Sequence, residues 1–463
     1  MNAAAATSLS VAELSRGLRE HQFTSLELTE AYLDRIEHEA GRLNAFATVT
    51  AELARRQASA ADLAIRAGKA RGPLHGIPYG AKDLFDTAGI TTAWGAAPTR
   101  NRVPTRDATV VRRLRDGGAV LLGKLAMVEF AGGLGYRWPD ASANGPGRNP
   151  WNPERWTGGS SSGSGAAVAA SLVGFALGTE TWGSILCPSA FCGITGLRPT
   201  YGRVSRAGGM VCSDSFDKIG PMARSAADCR AILATIAGAD PDDATAANQP
   251  IDFAEPRPLK RGLRAAIVPL DFSKVGEPEV KRAFDAAVGE LRGLGVQAEV
   301  ASLPDFPAAD VAGAIITAEA LSAFESFFRD GSVKQMSDPY VPYQPEIASA
   351  MTGADLMKAW RMREALQRKM RDFFGRWDVI LSPNFMTVAP PVDKDLYETL
   401  AYGDPVGAVG NTCGLPSLAL PSGMGRDRLP VGFQIMGPPW SEGLLLDLGE
   451  AFQARTRHHL ARP

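Results

Sequence analysis

Short apolar runs alternate with amphipathic helical patterns along most of the chain, and this alternation constrains the fold more than any other feature. Five runs are typical of strands buried on both faces, at residues 119–123, 173–179, 265–270, 296–300 and 378–383. Between them, Val280, Phe284, Ala287 and Leu291 recur at the spacing of one helix face. Strands that alternate with helices favour an α/β architecture around one large, largely buried sheet.

The first forty residues are predicted to form two helices. Ser10 is followed three residues later by Glu13, and Thr24 is followed by Glu27 in the same way. In this pattern the hydroxyl accepts a hydrogen bond from the first turn of the helix, while the carboxylate accepts one from the backbone of the hydroxyl residue. The two pairs therefore predict where the two helices begin.

The balance of charges excludes several classes of partner. The 463 residues include 49 Lys and Arg and 50 Asp and Glu, for a net charge of −1, without any basic stripe. We therefore expect neither nucleic acid nor an anionic membrane surface as a partner. The N-terminus has no basic segment followed by an apolar one, and no run of about 18 apolar residues occurs. These features predict a cytoplasmic protein.

Five scattered cysteines argue against a zinc site or a disulfide framework, because no two are spaced as CxxC. They are Cys187, Cys192, Cys212, Cys229 and Cys413. We expect reduced thiols and no metal site. Cys187 and Cys192 are interpreted as small buried core residues, with a reactive thiol as the alternative for Cys187.

One composition shift interrupts the chain, a polar segment rich in proline and aspartate at residues 238–258. It is either a domain boundary or a long surface loop inside one domain. The alternation of strands and helices resumes unchanged after it, which favours the loop, and the sequence contains no internal repeat. We therefore predict a single domain over residues 1–463.

A run of serine and glycine, TGGSSSGSG at residues 157–165, has three interpretations. A flexible linker is the first, since linkers use these residues. A nucleophile elbow of the GxSxG type is the second, but that motif needs a preceding strand and a later histidine, and the only later ones are His458 and His459 in the tail. An apolar helical segment follows directly at residues 166–173. We favour a glycine-rich turn that opens onto this helix and gathers N–H groups and hydroxyls at one spot.

A serine nucleophile needs a base, and the chain offers few histidines for that role. The remaining three are His21 and His38 in the N-terminal helices and His75, which is interpreted as a loop residue. Lysine is the usual substitute. Lys82 follows a strand-like segment, and Ser184 lies on a glycine-flanked turn. Taken alone, Lys82 would be interpreted as a surface ion pair with Asp83 or Asp86, and Ser184 as an ordinary turn serine.

Three segments together resemble the hallmark of the amidase signature family. They are GIPYGAKD at residues 76–83, GGSSSGSG at 158–165 and GTETWGSILCPSAFCGITGLRPT at 178–200. The likeness extends over most of the chain and is weakest at about residues 240–378, the region that shapes substrate access in the family. It implies an α/β/α sandwich with one large mixed, twisted β-sheet covered by helices on both faces. It also implies a catalytic core at about residues 70–230.

The resemblance further implies a Ser–Ser–Lys triad without metal or cofactor. Ser184 would be the nucleophile, Lys82 the base, and Ser160, which follows a cis peptide bond with Gly159, the bridging residue. Ser161 would be a structural hydrogen-bonding residue. The backbone N–H groups of one turn would form the oxyanion hole, namely those of Thr181, Trp182, Gly183 and Ser184.

These residue types suit the hydrolysis of an amide. A serine hydroxyl becomes a good nucleophile only when a base takes its proton. A lysine amine, with a pKa of ~10.4 in water, is protonated at neutral pH, but burial disfavours the ammonium and lowers the pKa. A second serine is both donor and acceptor, so Ser160 would pass the proton from Ser184 to Lys82.

Three positions depart from the common pattern of the family. Trp182 stands where glycine is frequent, Leu186 where arginine is frequent and Ala126 where asparagine is frequent. The absent arginine weakens the argument for a substrate that carries a carboxylate. Trp182 and Leu186, with the aromatic-rich segment at residues 323–328, instead motivate the hypothesis of an aromatic or apolar acyl group. Lys124 is interpreted as structural.

We therefore predict a hydrolase that cleaves a C–N bond of a small molecule, in an amide, anilide or carbamate, through an acyl-enzyme on Ser184. The nearest alternative is the glutaminase (A) subunit of a tRNA-dependent amidotransferase, which residues 201–210 and 217–225 also resemble. A non-catalytic binding protein on the same scaffold is a third interpretation, but it would require a damaged triad. The resemblance alone suggests a homodimer.

Overall fold

The computed structural model describes residues 3–273, 276–400 and 403–463; Met1 and Asn2, at the start of the segment predicted to be helical, lie outside them. The strands are β1 (Phe46–Val49), β2 (Pro78–Lys82), β3 (Val120–Leu125), β4 (Arg148–Asn149), β5 (Asn152–Trp156), β6 (Phe175–Glu180), β7 (Thr195–Arg198), β8 (Lys218–Ala223), β9 (Arg264–Ile267), β10 (Gln297–Val300), β11 (Val379–Pro383), β12 (Ser417–Met424) and β13 (Pro430–Met436).

The helices flank these strands along the whole described chain. They are α1 (Ala3–Ala6), α2 (Val11–Arg19), α3 (Ser25–Leu43), α4 (Ala51–Arg66), α5 (Thr109–Asp116), α6 (Ser162–Ala169), α7 (Leu186–Cys192), α8 (Ala226–Ile236), α9 (Pro278–Gly293), α10 (Ala308–Ala323), α11 (Glu325–Arg329), α12 (Gln344–Ala348), α13 (Gly353–Phe374), α14 (Leu396–Thr399), α15 (Gly407–Thr412) and α16 (Glu442–Thr456). Short 3-10 helices lie at Ala97–Thr99, Glu129–Gly132, Ser332–Gln335, Val341–Tyr343, Arg426–Arg428 and His458–Leu460.

Within the described residues, eleven strands form one mixed sheet in the order β1-β3-β2-β6-β8-β7-β12-β13-β11-β9-β10. β2 runs parallel to β3 and β6, and β9 runs parallel to β10 and β11. The other neighbours in this sheet are antiparallel. Helices pack against the sheet, with α7 on β7, β12 and β13 and with α8, α9 and α16 on strands of the same half. The predicted α/β/α sandwich around a large mixed sheet is confirmed.

The parallel strands β2 and β6 bring two distant parts of the chain together at one edge of the sheet. Ala81 of β2 lies opposite Leu177 of β6, so Lys82 at the end of β2 lies beside the last residues of β6. Neighbouring parallel strands end at the same edge, and open α/β sheets form their sites there. Both strands are buried along their whole length.

The sequence patterns predicted most of these elements. Each of the five apolar runs overlaps a strand, namely β3, β6, β9, β10 and β11, with boundaries that differ by up to three residues. The side chain of Ser10 caps α2 and its backbone N–H donates to Glu13, while Thr24 and Glu27 make the same pair of hydrogen bonds at the start of α3. The predicted apolar face of α9 is buried. The short α1 is an additional element.

The serine-glycine run differs from the prediction, because the helix begins inside it. α6 starts at Ser162 and ends at Ala169, so it covers only half of the apolar segment that was predicted to be the helix. Gly163 allows this close packing, since a Cβ there would clash with the carbonyl oxygen of Ala45. Directly before the run, β5 pairs with β4. A linker is excluded, since the whole run is buried.

No helix in the described ranges combines the length and the apolar character that crossing a bilayer requires.

Candidate active site

Lys82 is the last residue of β2, and its side chain is completely buried. Its Nζ atom lies 2.8 Å from Ser160 Oγ and 2.9 Å from Thr179 Oγ1, both at hydrogen-bonding distance. The surface ion pair considered from the sequence does not form. Asp83 instead lies 3.5 Å from Lys124, and Asp86 pairs with Arg102.

Burial sets the protonation of this amine. Removal from water lowers the pKa of Lys82 to about 7, although the nearby Cys212, Asp217 and Glu180 act weakly in the opposite direction. No carboxylate among the described residues lies within ion-pair distance of Nζ. A large fraction of the amine is therefore uncharged near neutral pH and able to accept a proton.

The serine block lies between β2 and the turn that follows β6. The Gly159–Ser160 peptide bond is cis, as the resemblance implies, and Ser160 is fully buried. The Ser161 N–H donates to the carbonyl of Ser184 over 3.3 Å. The Ser161 hydroxyl donates to the carbonyl of Thr179 and accepts from its N–H, over 3.2 and 3.3 Å. Ser161 thus attaches the block to β6.

Ser184 lies in the turn of residues 181–184, directly after β6. Its hydroxyl makes no hydrogen bond with any other described residue, and Ser184 lines a cavity. The backbone N–H groups of Trp182, Gly183 and Ser184 also donate to no other residue in the described ranges. Gly183 has a φ of +82°, a conformation that favours glycine. The turn therefore presents a free hydroxyl and several free amide donors.

A buried carboxylate holds this turn in place. Glu180 Oε2 accepts hydrogen bonds from the N–H groups of Ile185 and Leu186, each over 3.0 Å, while Oε1 pairs with Arg198 at 2.7 Å. Burial alone would raise the pKa of Glu180, but Arg198 and Lys218 hold it below its usual value. On the other side, the Thr181 hydroxyl donates to Asp217 over 2.6 Å. The ends of the turn are thus anchored by two acidic side chains.

The cavity in front of Ser184 has a volume of about 760 Å³. Its described lining is mainly apolar and aromatic and includes Tyr136, Trp156, Trp182, Ile316, Phe385, Leu396, Tyr397 and Leu400. Thr181, Gly159, Cys187 and Cys212 also line it. Asp404 is the one acidic residue among the described lining residues, which include no Lys, Arg or His. The site therefore suits an acyl group without a negative charge.

Two of the three sequence features that motivated an apolar acyl group do not reach this cavity. Leu186 is buried at the start of α7 and is not part of the described lining. In the segment 323–328, Phe324 stacks on Phe130 with 4.4 Å between ring centroids, so this segment belongs to the core. Trp182 does line the cavity and is 38% exposed.

Asp404 is a site residue that sequence reasoning missed. Its Oδ1 atom accepts from the side chain of Gln434 over 2.6 Å and from the N–H of Val406 over 3.0 Å. Its Oδ2 atom is buried without a hydrogen-bond partner among the described residues. Burial raises the pKa of Asp404 to about 7, against the opposing charge of Arg198. Asp404 thus places a buried carboxyl group with one unpartnered oxygen in the wall of the cavity.

Thr179, Glu180, Arg198 and Asp217 were missed as well. The first three lie inside the segment 178–200 that carries the resemblance, so their proximity in sequence to Ser184 was an available signal. Asp217 begins the segment 217–225, which also carries part of the resemblance. Asp404 comes from a later segment, and nothing in its local sequence indicates that it approaches the turn. A sequence pattern reports neighbours along the chain, whereas these contacts depend on the sheet.

Three residues discussed in the sequence analysis, Lys124, His75 and Ala126, do not line the cavity. Lys124 donates to the carbonyl of Phe85 and to Thr92, as expected for a structural residue. The ring of His75 lies against the backbone of Ala61 and Arg71. The carbonyl of Ala126 accepts from the N–H of Gly163 over 2.8 Å, so the backbone here supports the serine block directly.

The described ranges contain one other large groove and no metal cluster, and neither provides an alternative active site. No group of three His, Cys, Asp or Glu side chains is arranged there to hold a metal ion. A second groove of about 800 Å³ runs along α1 and α3 and is lined by acidic residues such as Glu27, Glu30 and Asp34. It contains none of the predicted site residues. The cavity at Ser184 is therefore the candidate active site.

Comparison with known proteins points to one family. The model of the amidase family matches residues 27–446. The glutamyl-tRNA(Gln) amidotransferase A subunit of Moorella thermoacetica is 38% identical, with 98% of each chain covered. The peptide amidase from Stenotrophomonas maltophilia has a TM-score of 0.84 and 33% identity, with 98% of this chain and 97% of that one covered.

A third relative comes from a vestigial protein complex that reveals the evolutionary origins of an s-triazine catabolic enzyme. It has a TM-score of 0.85 and 30% identity, and the match covers 96% of this chain and 98% of that one. The match to the family model extends over most of the sequence, and the relatives match over nearly their full length. The chain therefore belongs to the amidase family.

Proposed function

We propose that this protein hydrolyses an amide-type C–N bond with Ser184 as nucleophile, Ser160 as proton relay and Lys82 as general base and acid. The observation that carries the proposal is the buried Lys82 amine, which has hydroxyl partners and no carboxylate partner among the described residues. A structural lysine would be expected to meet a carboxylate when fully buried. A lysine that acts as the base for a serine hydroxyl needs no carboxylate partner.

The proton transfers follow from the order of these groups. Ser184 Oγ attacks the carbonyl carbon and gives its proton to Ser160 Oγ, while the proton of Ser160 moves to Lys82 Nζ. The same relay runs in reverse to protonate the departing amine, and water then hydrolyses the ester in the same way. Catalytic hydrogen bonds often form fully only with substrate bound. The unpaired Ser184 hydroxyl would accordingly turn toward Ser160 when a substrate enters.

The turn after β6 would stabilise the negative oxygen of the tetrahedral intermediate. We assign this role to the backbone N–H groups of Thr181, Trp182, Gly183 and Ser184. The last three donate to no described residue, so they are free for this purpose without breaking another bond. One such preorganised donor contributes about 3 kcal/mol to transition-state stabilisation.

The cavity lining favours an apolar or aromatic acyl group that carries a hydrogen-bond donor. Tyr136, Trp156 and Trp182 offer aromatic surface, and the unpartnered Oδ2 of Asp404 offers an acceptor. A free carboxylate on the substrate would have no cation to meet among the described lining residues. An amide, anilide or carbamate satisfies these conditions when its acyl part is apolar or aromatic, uncharged and carries such a donor.

A second candidate function is the glutaminase component of a tRNA-dependent amidotransferase. It is favoured by the curated relatives, since a chain with that name is 38% identical over nearly the full length. Asp404 could receive the ammonium group of glutamine. The cavity provides no cation for its carboxylate among the described residues, and Leu186 stands where the resemblance led us to expect arginine. The charge of the cavity thus favours the first candidate.

The decisive experiment measures ammonia or amine release by the purified chain alone. The panel contains glutamine, phenylacetamide, a peptide amide, an anilide and a carbamate. Cleavage of an apolar amide at least tenfold faster than of glutamine supports the stand-alone hydrolase. Glutamine cleavage that requires two partner subunits supports the second candidate. Turnover of none of these by chain or complex would favour a non-catalytic scaffold.

Ser184→Ala and Lys82→Ala test the assignment of the triad. Each should abolish turnover while leaving the melting temperature within a few degrees of the parent protein. Labelling by a fluorophosphonate, which reacts with activated serines, should also disappear in Ser184→Ala. A Ser184→Ala protein with unchanged activity would refute the mechanism.

We also propose that the whole chain acts as one domain whose two parts have different tasks. The catalytic residues lie within residues 70–230, and α10, from the region 240–378, contributes Ala309, Gly313, Ile316 and Thr317 to the cavity lining. This arrangement supports the expectation that the variable region shapes substrate access. A homodimer stays a prediction, to be tested by light scattering of the purified protein.

A further inference from the structure

Lys218 is a second lysine buried beneath the turn of residues 181–184, and neither the resemblance nor the relay gives it a role. It is the first residue of β8 and lies opposite Glu180, the last residue of β6. Only 2% of its surface is exposed. A lysine with so little contact with water needs a specific reason to be retained.

The ammonium group of Lys218 contacts backbone carbonyls and no carboxylate. Its Nζ donates to the carbonyl of Phe216 by a short hydrogen bond and lies 3.4 Å from the carbonyl oxygen of Thr181. Among the described residues it forms no ion pair. The two nearest carboxylates are occupied, since Glu180 binds Arg198 and two N–H groups, and Asp217 accepts from Thr181, Cys212 and Ser213.

The carbonyl of Thr181 belongs to the same peptide group as the N–H of Trp182. A positive charge beside the carbonyl oxygen polarises this peptide and strengthens its N–H as a donor. At 3.4 Å the contact is long for a hydrogen bond, but the attraction between a charge and a dipole in a buried site persists at that distance. The Thr181 hydroxyl is fixed by Asp217, so both ends of this residue are held.

We propose that Lys218, in its protonated form, is a positioning residue that orients and polarises the Thr181–Trp182 peptide for binding of the oxyanion. This inference rests on the proposed function, because it assumes that the turn receives the negative oxygen. Lys218 does not touch the substrate. It acts through the backbone of the turn.

The charged groups around Lys218 make the effect dependent on pH. Burial and the charges of Arg198 and Arg363 lower the pKa of Lys218, while Glu180 and Asp217 oppose that shift. A lysine with a lowered pKa loses its proton at a lower pH than usual. The rate should therefore fall on the alkaline side as Lys218 becomes neutral, whereas protonation of Lys82 limits the rate on the acidic side.

The test is the rate of labelling by a fluorophosphonate as a function of pH, which needs no knowledge of the substrate. In this reaction Ser184 Oγ attacks phosphorus, fluoride leaves, the proton passes to Lys82, and the phosphoryl oxygen occupies the oxyanion site. Lys218→Met keeps the length of the side chain and removes the charge. We expect labelling roughly 10- to 100-fold slower and the loss of the alkaline decline.

Lys218→Arg restores a positive charge that does not titrate. It should recover at least a third of the parent rate and keep that rate at high pH. Lys124→Met is the matched control, since it removes another buried lysine that does not contact the turn, and its labelling rate per folded molecule should stay within threefold of the parent. Thermal melting of each variant corrects for unfolded protein.

Two outcomes separate this inference from the proposed function. Labelling of Lys218→Met within twofold of the parent, with the same pH profile, would overturn the role of Lys218 alone. Labelling that persists in Ser184→Ala, or is absent from the parent protein, would overturn the proposed function itself.

Discussion

Lys82 and Lys124 lie at the ends of adjacent parallel strands, and both are completely buried, yet their surroundings differ in one respect. Lys124 has the carboxylate of Asp83 at 3.5 Å, whereas Lys82 has only hydroxyl partners at hydrogen-bonding distance among the described residues. Burial lowers the pKa of both, to about 8 for Lys124 and to about 7 for Lys82. Burial thus lowers the pKa of both amines, and the partners distinguish Lys82, which we propose as the base, from Lys124, which lies beside a carboxylate.

The largest difference between the two lysines should appear in kcat when each is replaced by methionine. Lys82→Met removes the proposed base, and we expect kcat to fall by about 10²- to 10⁴-fold, the usual contribution of a general base. Lys124→Met should keep kcat within about threefold when the rate is expressed per folded molecule. Steady-state kinetics on the best amide of the panel make the comparison. Equal losses in the two variants would end the distinction.

In stability the order should be reversed, with Lys124→Met the more strongly affected variant. Lys124→Met leaves the buried carboxylate of Asp83 without its cation, and breaking a buried pair costs about 3 kcal/mol or more. Lys82→Met leaves no carboxylate unpaired. Its free energy of unfolding should equal or exceed that of the parent, as measured by urea denaturation. A large loss in Lys82→Met would show that its amine is structural.

The pH dependence sharpens this contrast further. The pKa of Lys82 is lower in the folded than in the unfolded chain, so the unfolded chain binds more protons between about pH 7 and 10 and stability rises over that range. The gain of stability in Lys82→Met should therefore be largest below pH 7 and vanish near pH 10. Urea denaturation at pH 6, 8 and 10 measures it.

Activity should follow the same titration. Because the base must be uncharged, kcat/KM should fall about tenfold for each pH unit below about 7. The profile of Lys124→Met should have the same acidic limb. If the Lys124 substitution shifted the acidic limb, the titration would belong to Lys124 and not to Lys82.

The smallest effect is expected from the threonine that contacts each amine. Thr179→Val removes one acceptor of the Lys82 ammonium, so the pKa should fall further and the acidic limb should move to lower pH by up to about one unit. We expect kcat to be lower by about five- to tenfold, the value of about one hydrogen bond. Thr92→Val removes the matching contact of Lys124 and should leave the profile unchanged.

Local sequence patterns predicted many of the strands and helices, and the motifs indicated which residues lie near the cavity. Apolar runs predicted five strands, because burial on both faces leaves a continuous signature in the chain. The start of α6 was misplaced, since glycine and serine are poor helix formers and only tertiary packing against Ala45 and Ala126 makes a helix there. The pattern indicated a turn, and the surrounding structure imposed a helix.

The part of the site beyond the motifs could not be predicted from local patterns. Asp404 is 220 residues from Ser184, and its carboxylate is exceptional only because Oδ2 is buried without a described partner. Lys218 was visible inside the quoted segment at 217–225, yet its importance depends on the pairing of β8 with β6. Register between distant strands is a property of the whole sheet, so no window of sequence reveals it.

The walls of the cavity have separate origins in the chain, and this separation bears on how such proteins diverge. Ser160, Ser184 and their supports come from the first half, whereas the second half contributes α10 and seven other described lining residues, Phe385, Leu396, Tyr397, Leu400, Gly403, Asp404 and Ala408. Mutations in the second half can therefore reshape this cavity without altering Ser160, Ser184 or Lys82. Such modularity gives selection a route from one substrate to another without passing through an inactive ancestor.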